Sequence, residues 1–239
     1  MKTVLSIAGS DSGGGAGIQA DLKTIAALGC YGTTAVTAVT AQNTLGVQKV
    51  LPIPGHLIAE QIEAVLSDIG ADAVKIGMLF DADAAAAVAR ELEAYEGPVI
   101  FDPVMRSKSQ CVLMREDALS SLEPLLSRAL LVMPNAEEAK ILGKRGVKNL
   151  LLKGGHTREP DRLFLENGTV LEFETAWIDT KNTHGTGCTL SSAIASFLAL
   201  GNDLPAAVAR AKAYLQGAVA ASLFIGRGIG PLHHFWRQR

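Results

Sequence analysis

The sequence predicts an α/β fold, a mostly parallel central sheet flanked by helices with an antiparallel hairpin at one edge. Three observations carry the expectation. Short, continuously apolar runs rich in β-formers recur at residues 3–8, 33–39, 73–76, 99–101, 130–133 and 149–152, as strands covered on both faces require. Helix-period stretches alternate with them, the pattern of βαβ units. Farther on, Asn167-Gly168 divides two strand-like runs, 163–166 and 169–173, which the Asn-Gly pair would join through a type I′ turn.

In chain order, the run 3–8 is the first strand. It leads through a glycine cluster into a helix on which Ile18, Leu22, Ile25 and Leu28 share a face. After the strand 33–39, Leu57, Ile58, Ile62 and Val65 repeat the helical spacing, and the Ala-rich segment 83–93 is a strong helix former. The last third switches to helices, 187–200 and 204–224, divided by Gly201-Asn202. No linker, repeat or low-complexity tract interrupts 1–239, so a single domain is expected.

Composition removes several function classes. The chain has 239 residues, 48% of them hydrophobic, with 22 Lys+Arg against 24 Asp+Glu. Disorder and a polybasic nucleic-acid surface both fit poorly. The apolar start stops at Gly9 and Asp11, too soon for a signal-peptide core. The longest charge-free stretch, 24–48, is rich in Thr and carries three Gly, two Gln and an Asn, which no membrane span favours. The expectation is a cytoplasmic protein with no nucleic-acid or membrane partner. Cys30, Cys111 and Cys188 are odd in number and far apart, so neither a disulfide framework nor a structural zinc site follows.

Two glycine motifs bear on chemistry. The first, Gly9-Ser10-Asp11-Ser12-Gly13-Gly14-Gly15-Ala16-Gly17, would let backbone N–H groups approach an anion or a flat ligand closely. Its Gly15 to Ala20 portion fits the dinucleotide fingerprint GxGxxA, but that site needs an acid about 20 positions on, and 22–59 contains none. The second is Thr183-His184-Gly185-Thr186-Gly187-Cys188-Thr189, directly before an apolar helix. N–H groups of Gly185, Thr186, Gly187 and Cys188 at a helix start would form an anion hole for a phosphoryl group. In that positive field the Cys188 thiol is expected to be lowered toward neutrality, as a base or nucleophile; a small buried apolar cysteine reads the same positions equally well.

At predicted strand ends stand Asp102, Asn135 with Glu138, and Lys153, where open α/β sheets bind ligands. Oxygens of Asp102, Asn135 and Glu138 suit Mg²⁺, and Lys153 suits a phosphate. Singly each reads as a cap or a solvated charge. Together with the anion hole they equip a phosphoryl transfer.

Several segments resemble one family jointly: Ala-Gly-Ser-Asp-Ser-Gly-Gly-Gly-Ala-Gly-Ile-Gln-Ala-Asp, Thr-Ala-Gln-Asn-Thr-Leu-Gly-Val, Lys-Ile-Gly-Met-Leu, Asp-Pro-Val-Met, Lys-Gly-Gly-His and Thr-Lys-Asn-Thr-His-Gly-Thr-Gly-Cys-Thr-Leu. The chain is similar to the hydroxymethylpyrimidine/phosphomethylpyrimidine kinases of thiamine biosynthesis, in the ribokinase-like superfamily. The resemblance implies a three-layer α/β/α fold and Mg²⁺-ATP-dependent phosphorylation of 4-amino-5-hydroxymethyl-2-methylpyrimidine and then of its monophosphate. By position, it implies that Gln42 binds the pyrimidine and that Gly9, Asp21, Met78 and Val104 line its pocket. It implies Cys188 as general base, Asn135 and Glu138 as the magnesium pair, Lys108 and Lys153 on phosphates, and a homodimer.

Two departures stand out. Residues 135–147 are barely long enough for a parallel crossover, where the family carries a further helix, and Lys108-Ser109-Gln110-Cys111 replaces Lys-Ser-Gly-Asp. A pyridoxal kinase of the same family, or a pyrimidine sensor without turnover, are the competing functions.

Overall fold

The computed structural model describes residues 1–107, 110–143, 146–154, 159–174 and 176–237. One nine-stranded sheet runs through them. In chain order its strands are β1 (Thr3–Asp11), β2 (Tyr31–Asn43), β3 (Gly46–Pro52), β4 (Ala73–Ile76), β5 (Val99–Phe101), β6 (Leu131–Val132), β7 (Leu150–Leu152), β8 (Asp161–Phe164) and β9 (Val170–Phe173). They lie in the order β3-β2-β1-β4-β5-β6-β7-β8-β9. In that order the six from β2 to β7 are parallel, while β3 at one edge pairs antiparallel with β2, and at the other edge β8 pairs antiparallel with β7 and β9 with β8.

The helices are α1 (Gly17–Ala27), α2 (Gly55–Asp68), α3 (Ala82–Glu91), α4 (Glu116–Ser120), α5 (Glu123–Arg128), α6 (Ala136–Leu142), α7 (Thr186–Ala199) and α8 (Leu204–Ala220). Alternation along the strands sorts them into two layers, since successive side chains leave opposite faces of a sheet. Leu5, Ile7, Val74, Ile76 and Phe101 meet Ile58, Ile62, Ala84, Val88, Leu125 and Leu142 on one face. On the other, Val4, Ala73, Ile100, Leu131 and Leu151 meet Ile25, Leu190, Ile194, Val208 and Tyr214 of α1, α7 and α8. This is the three-layer α/β/α arrangement. Among the described residues no helix is long and apolar enough to cross a membrane.

Some expectations need correction. The Asn167-Gly168 turn is not type I′, because only Gly168 has a positive φ, of 85°. Gly168 N–H donates to Leu165 O and Leu165 N–H to Thr169 O, each at 2.9 Å, a longer loop with a single left-handed residue. The C-terminal helix ends at Ala220 rather than 224. Strand β3 was not anticipated, nor were the short helices α4 and α5. The short crossover is sufficient: α6 has only 7 residues, yet β6 and β7 pair in parallel.

The order in which parallel strands are added reverses at β1, whose successor β2 lies on one side and β4 on the other. The carboxyl ends of parallel strands around such a switch point form a crevice. The glycine loop after β1, Met78 after β4, Asp102 after β5, Asn135 after β6 and Lys153 after β7 all stand along it.

Candidate active site

The glycine loop is organised by Asp11, which the sequence reading did not single out although it is the only charged residue of the motif. Its Oδ1 accepts from Gly13 N–H at 2.8 Å, and its Oδ2 from Gly15 and Ala16 N–H at 3.0 and 2.8 Å. His184 Nε2 approaches the same Oδ2 at 2.8 Å. These N–H groups are therefore committed to an internal carboxylate, so the loop is not the open anion cradle expected of it. Burial raises the Asp11 carboxyl, but His184 and the loop amides outweigh it and hold the group below its ordinary value.

The two glycine motifs pack backbone to backbone. A Cβ at Gly185 would lie 1.9 Å from Gly15 O, and Gly185 is the N-cap of α7 with φ of 84°. No side chain caps this helix, and no acid stands in its first turn. Its first N–H groups thus keep their positive field for an incoming anion.

Facing that turn is a charged cluster. Lys153 Nζ donates to Asp102 Oδ1 at 2.5 Å and lies 3.9 Å from Glu138 Oε2. Asp102 is 1% exposed, and its Oδ2 is buried without a hydrogen-bond partner. A Cβ at Gly187 would sit 3.1 Å from that Oδ2 and 4.0 Å from Lys153 Nζ, so the glycine leaves the space between helix start and cluster open. Burial alone would lower Lys153, but the carboxylates of Asp102 and Glu138 outweigh it and keep the ammonium charged.

Asn135 and Glu138 have a different occupation from the one expected. Asn135 Oδ1 accepts from Glu137 and Glu138 N–H, each at 2.9 Å, and Glu138 Oε2 accepts from Asn135 N–H at 2.8 Å. This reciprocal capping box starts α6. The Asn135 carbonyl is spent on the helix and is not presented as a metal ligand. Burial pushes the Glu138 carboxyl above its ordinary value despite Lys153 beside it. Among the described residues, no three His, Cys, Asp or Glu side chains are grouped to hold a metal ion.

Cys188 sits in the first turn of α7, partly buried. The expectation of a lowered thiol is overturned: burial pushes it up to about 11, while Lys75 pulls downward and Asp21 and Asp102 push further up. The helix-start field was the correct sign but is outweighed by partial burial, which penalises the charged form. Lys75 was also missed. It is wholly buried and ion-paired at 2.7 Å with Asp21, and a lysine inside a four-residue buried strand was the available signal.

Asp21, expected on the pocket wall, lies beneath it. It is 0% exposed and takes hydrogen bonds from Ser6, Lys75 and Ser192, so neither oxygen is offered to the cleft. On the acceptor side, Gly9 interrupts the β1–β2 register, and a Cβ there would meet Met78 Sδ at 3.0 Å. Met78 and Val104 belong to one small apolar cluster with Ala38, Val47 and Leu113. Gln42 ends this wall, its amide 3.2 Å from both Thr40 Oγ1 and His184 Nε2. Beyond it opens a cavity of about 350 Å³ whose lining includes Gln42, His184, Lys181 and Arg227. Lys108 lies outside the described residues.

Comparison with known proteins agrees with this geometry. Residues 11–233 match the family described as phosphomethylpyrimidine kinase. A hydroxymethylpyrimidine/phosphomethylpyrimidine kinase of Rhizobium meliloti is 46% identical over 257 aligned positions, covering 98% of this chain and 97% of the relative. The crystal structure of a phosphomethylpyrimidine kinase from Clostridium difficile superposes with a TM-score of 0.80 at 38% identity, covering 92% of this chain and 100% of that one. The ADP complex of Bacillus subtilis pyridoxal kinase gives a TM-score of 0.90 at 32% identity, covering 100% of both chains.

Proposed function

Because the chain belongs to the phosphomethylpyrimidine kinase family, we propose that this cleft phosphorylates 4-amino-5-hydroxymethyl-2-methylpyrimidine from ATP, and then its monophosphate, supplying the diphosphate for thiamine biosynthesis. The observation that carries the reading is the convergence at one helix start. Gly187, Cys188, Asp102 and Lys153, drawn from three segments of the chain, surround the uncapped first turn of α7.

The acceptor lies against Gly9, Met78 and Val104, with its ring edge toward the Gln42 amide, which both donates and accepts. Its hydroxymethyl oxygen is directed at the first turn of α7. There the oxygen attacks the γ-phosphorus, the bond to the β-phosphate oxygen breaks, ADP leaves, and the hydroxyl proton passes to the Cys188 thiolate. The first-turn N–H groups of α7 and the Lys153 ammonium carry the charge on the transferring phosphoryl oxygens.

The buried, unpartnered Asp102 Oδ2 fits Mg²⁺ arriving with ATP, since that ion is commonly held by one or two carboxylates and the phosphates themselves. It would neutralise charge between the β- and γ-phosphates. Asn135 and Glu138 then serve by fixing α6 and by holding Lys153.

The same reading includes a cytoplasmic homodimer. Val39 and Leu51 are cross-strand partners at the β3 edge and are 45% and 62% exposed, an apolar surface suited to a second copy. Light scattering on the purified protein tests it; a monomer at micromolar concentration contradicts it.

Solved pyridoxal kinases share the whole fold, so pyridoxal is the competing acceptor. The test is release of ADP from ATP with each acceptor. The expected result is pyrimidine-dependent turnover with the larger kcat/KM for the pyrimidine. A larger value for pyridoxal reverses the assignment, and no acceptor-dependent ADP release marks a binding protein.

A further inference from the structure

The mechanism above requires a thiolate in a place where burial opposes one, and the structure also holds a fully buried cation that the mechanism does not use. Lys75 occupies β4 at 0% exposure. Its ammonium donates to Asp21 Oδ2 at 2.7 Å. Asp21 is fixed in turn by Ser6 Oγ at 2.6 Å on that oxygen and by Ser192 Oγ at 2.7 Å on the other. A buried ion pair is weak support for stability, because well-packed apolar side chains of similar volume often do as well or better.

Its position explains what it does. Ser192 lies one helical turn after Cys188 on α7, so the two side chains share a face. The hydroxyl of Ser192 rests on Asp21, which places the pair beneath the thiol. Gly77 makes room for the ammonium: a Cβ there would stand 2.8 Å from Lys75 Nζ and 3.0 Å from Ala8 Cβ. The charged groups around Cys188 are Lys75 on β4, Asp21 on α1, Asp102 after β5 and Lys153 after β7. The Gly17 N–H at the start of α1 reaches the thiol as well. Lys153 is committed to Asp102 and Glu138, and Lys75 is the cation that pulls the thiol downward.

We propose that Lys75 is a positioning residue whose buried charge supports Cys188 as proton acceptor, with Asp21 and Ser192 holding the ammonium under the thiol. The proposal rests on the reading of Cys188 as the base of the first phosphorylation. An ammonium has three N–H donors, and Asp21 takes one of them. A thiolate formed above the pair shares the field of a cation already desolvated, at no further cost in ordering.

The test uses a background in which Cys30→Ala and Cys111→Ser leave Cys188 as the reporter. The rate of its alkylation by iodoacetamide is followed against pH, beside thermal unfolding and turnover on both acceptors. Lys75→Met alone strands a buried carboxylate and risks unfolding, so the informative variant is Lys75→Met with Asp21→Asn, which removes both charges and keeps the amide for Ser6 and Ser192. Alkylation at a fixed pH is expected to slow about ten- to a hundredfold, and turnover on the alcohol to fall in parallel. Turnover on the monophosphate should hold. Asp21→Asn alone leaves the cation unopposed and should shift the alkylation profile to lower pH; because it too strands a buried charge, its profile is read beside its thermal unfolding.

A folded double variant with the wild-type alkylation profile overturns the proposal, as does a folded Asp21→Asn variant whose profile does not move. Cys188→Ala with undiminished turnover on the alcohol would instead refute the base assignment, leaving the link between Lys75 and the thiol to the alkylation data alone.

Discussion

Replacing Cys188 by Ala separates the two phosphorylations, because only the first has a proton to remove. The hydroxymethyl acceptor is an alcohol that loses its proton as it attacks. The second acceptor is a phosphate monoester with a second pKa near 6, already a dianion at neutral pH. Removing a general base costs about 10² to 10⁴ in rate, so Cys188→Ala should lower single-turnover rates on the alcohol by that factor and leave those on the monophosphate within a few-fold. Structure adds a pH signature. With the thiol pushed up to about 11, the thiolate is scarce near neutral pH before substrates bind. The wild-type kcat/KM on the alcohol should therefore climb close to tenfold per pH unit from 7 to 9, and this slope should vanish in the Ala variant. The assay is rapid-quench single turnover across pH 6 to 9 with each acceptor. Equal losses on both acceptors would refute the reasoning and make Cys188 a support of the α7 start.

Other outcomes follow from the same geometry. Gln42→Ala leaves a polar ring edge unpaired, costing about 1 to 3 kcal/mol; KM for the pyrimidine should rise roughly ten- to a hundredfold, and calorimetry showing unaltered pyrimidine binding would remove Gln42 from the site. Asn135→Ala deletes the cap of α6 and should cost about 1 kcal/mol of stability with the Mg²⁺ dependence of turnover unchanged, whereas a raised Mg²⁺ requirement at unchanged Tm would return Asn135 to the metal. His234 is 3% exposed and lowered by burial to about 4. As pH falls, the unfolded chain takes up this proton first, so stability drops between about 6.5 and 4, by about 3 kcal/mol in all. Denaturant titrations of His234→Gln should show a shallower loss over that window; an unchanged slope would mean other groups dominate acid unfolding.

The parallel strands were legible because both their faces are covered. Val4, Leu5, Ile7 and Ala8 are each at most 1% exposed, and a run with no wet face leaves no doubt in its pattern. Strand β3 was not legible for the opposite reason. It lies at the edge, its Gln48 and Lys49 are exposed, and its residues alternate too poorly to show a period. Helices α4 and α5, of 5 and 6 residues, are too short for a 3.6-residue repeat to appear. The residues 167–168 carried the right turn signal, but the extra loop residues moved the positive φ onto the glycine alone.

At the site, sequence supplied residue types and not how their atoms are used. Asn-Ala-Glu-Glu at 135–138 reads as a metal motif or as a capping box, and only the hydrogen bonds show that the Asn135 oxygen is already occupied by two N–H groups. Asp11 illustrates the same point: a loop of glycine N–H groups looks like an anion site until its own carboxylate is found filling it. The Cys188 thiol is harder still. Its charge state depends on Lys75, Asp21, Asp102 and Lys153, four groups spread over 132 positions of sequence and brought together only when β4, α1, β5 and β7 take their places around α7. Spacing along a chain cannot give the sign of such a sum, since each group's weight depends on depth from water. A buried lysine in the middle of a strand is the exception. Its desolvation is so costly that its presence alone announces a partner and, beside a nucleophile, a use.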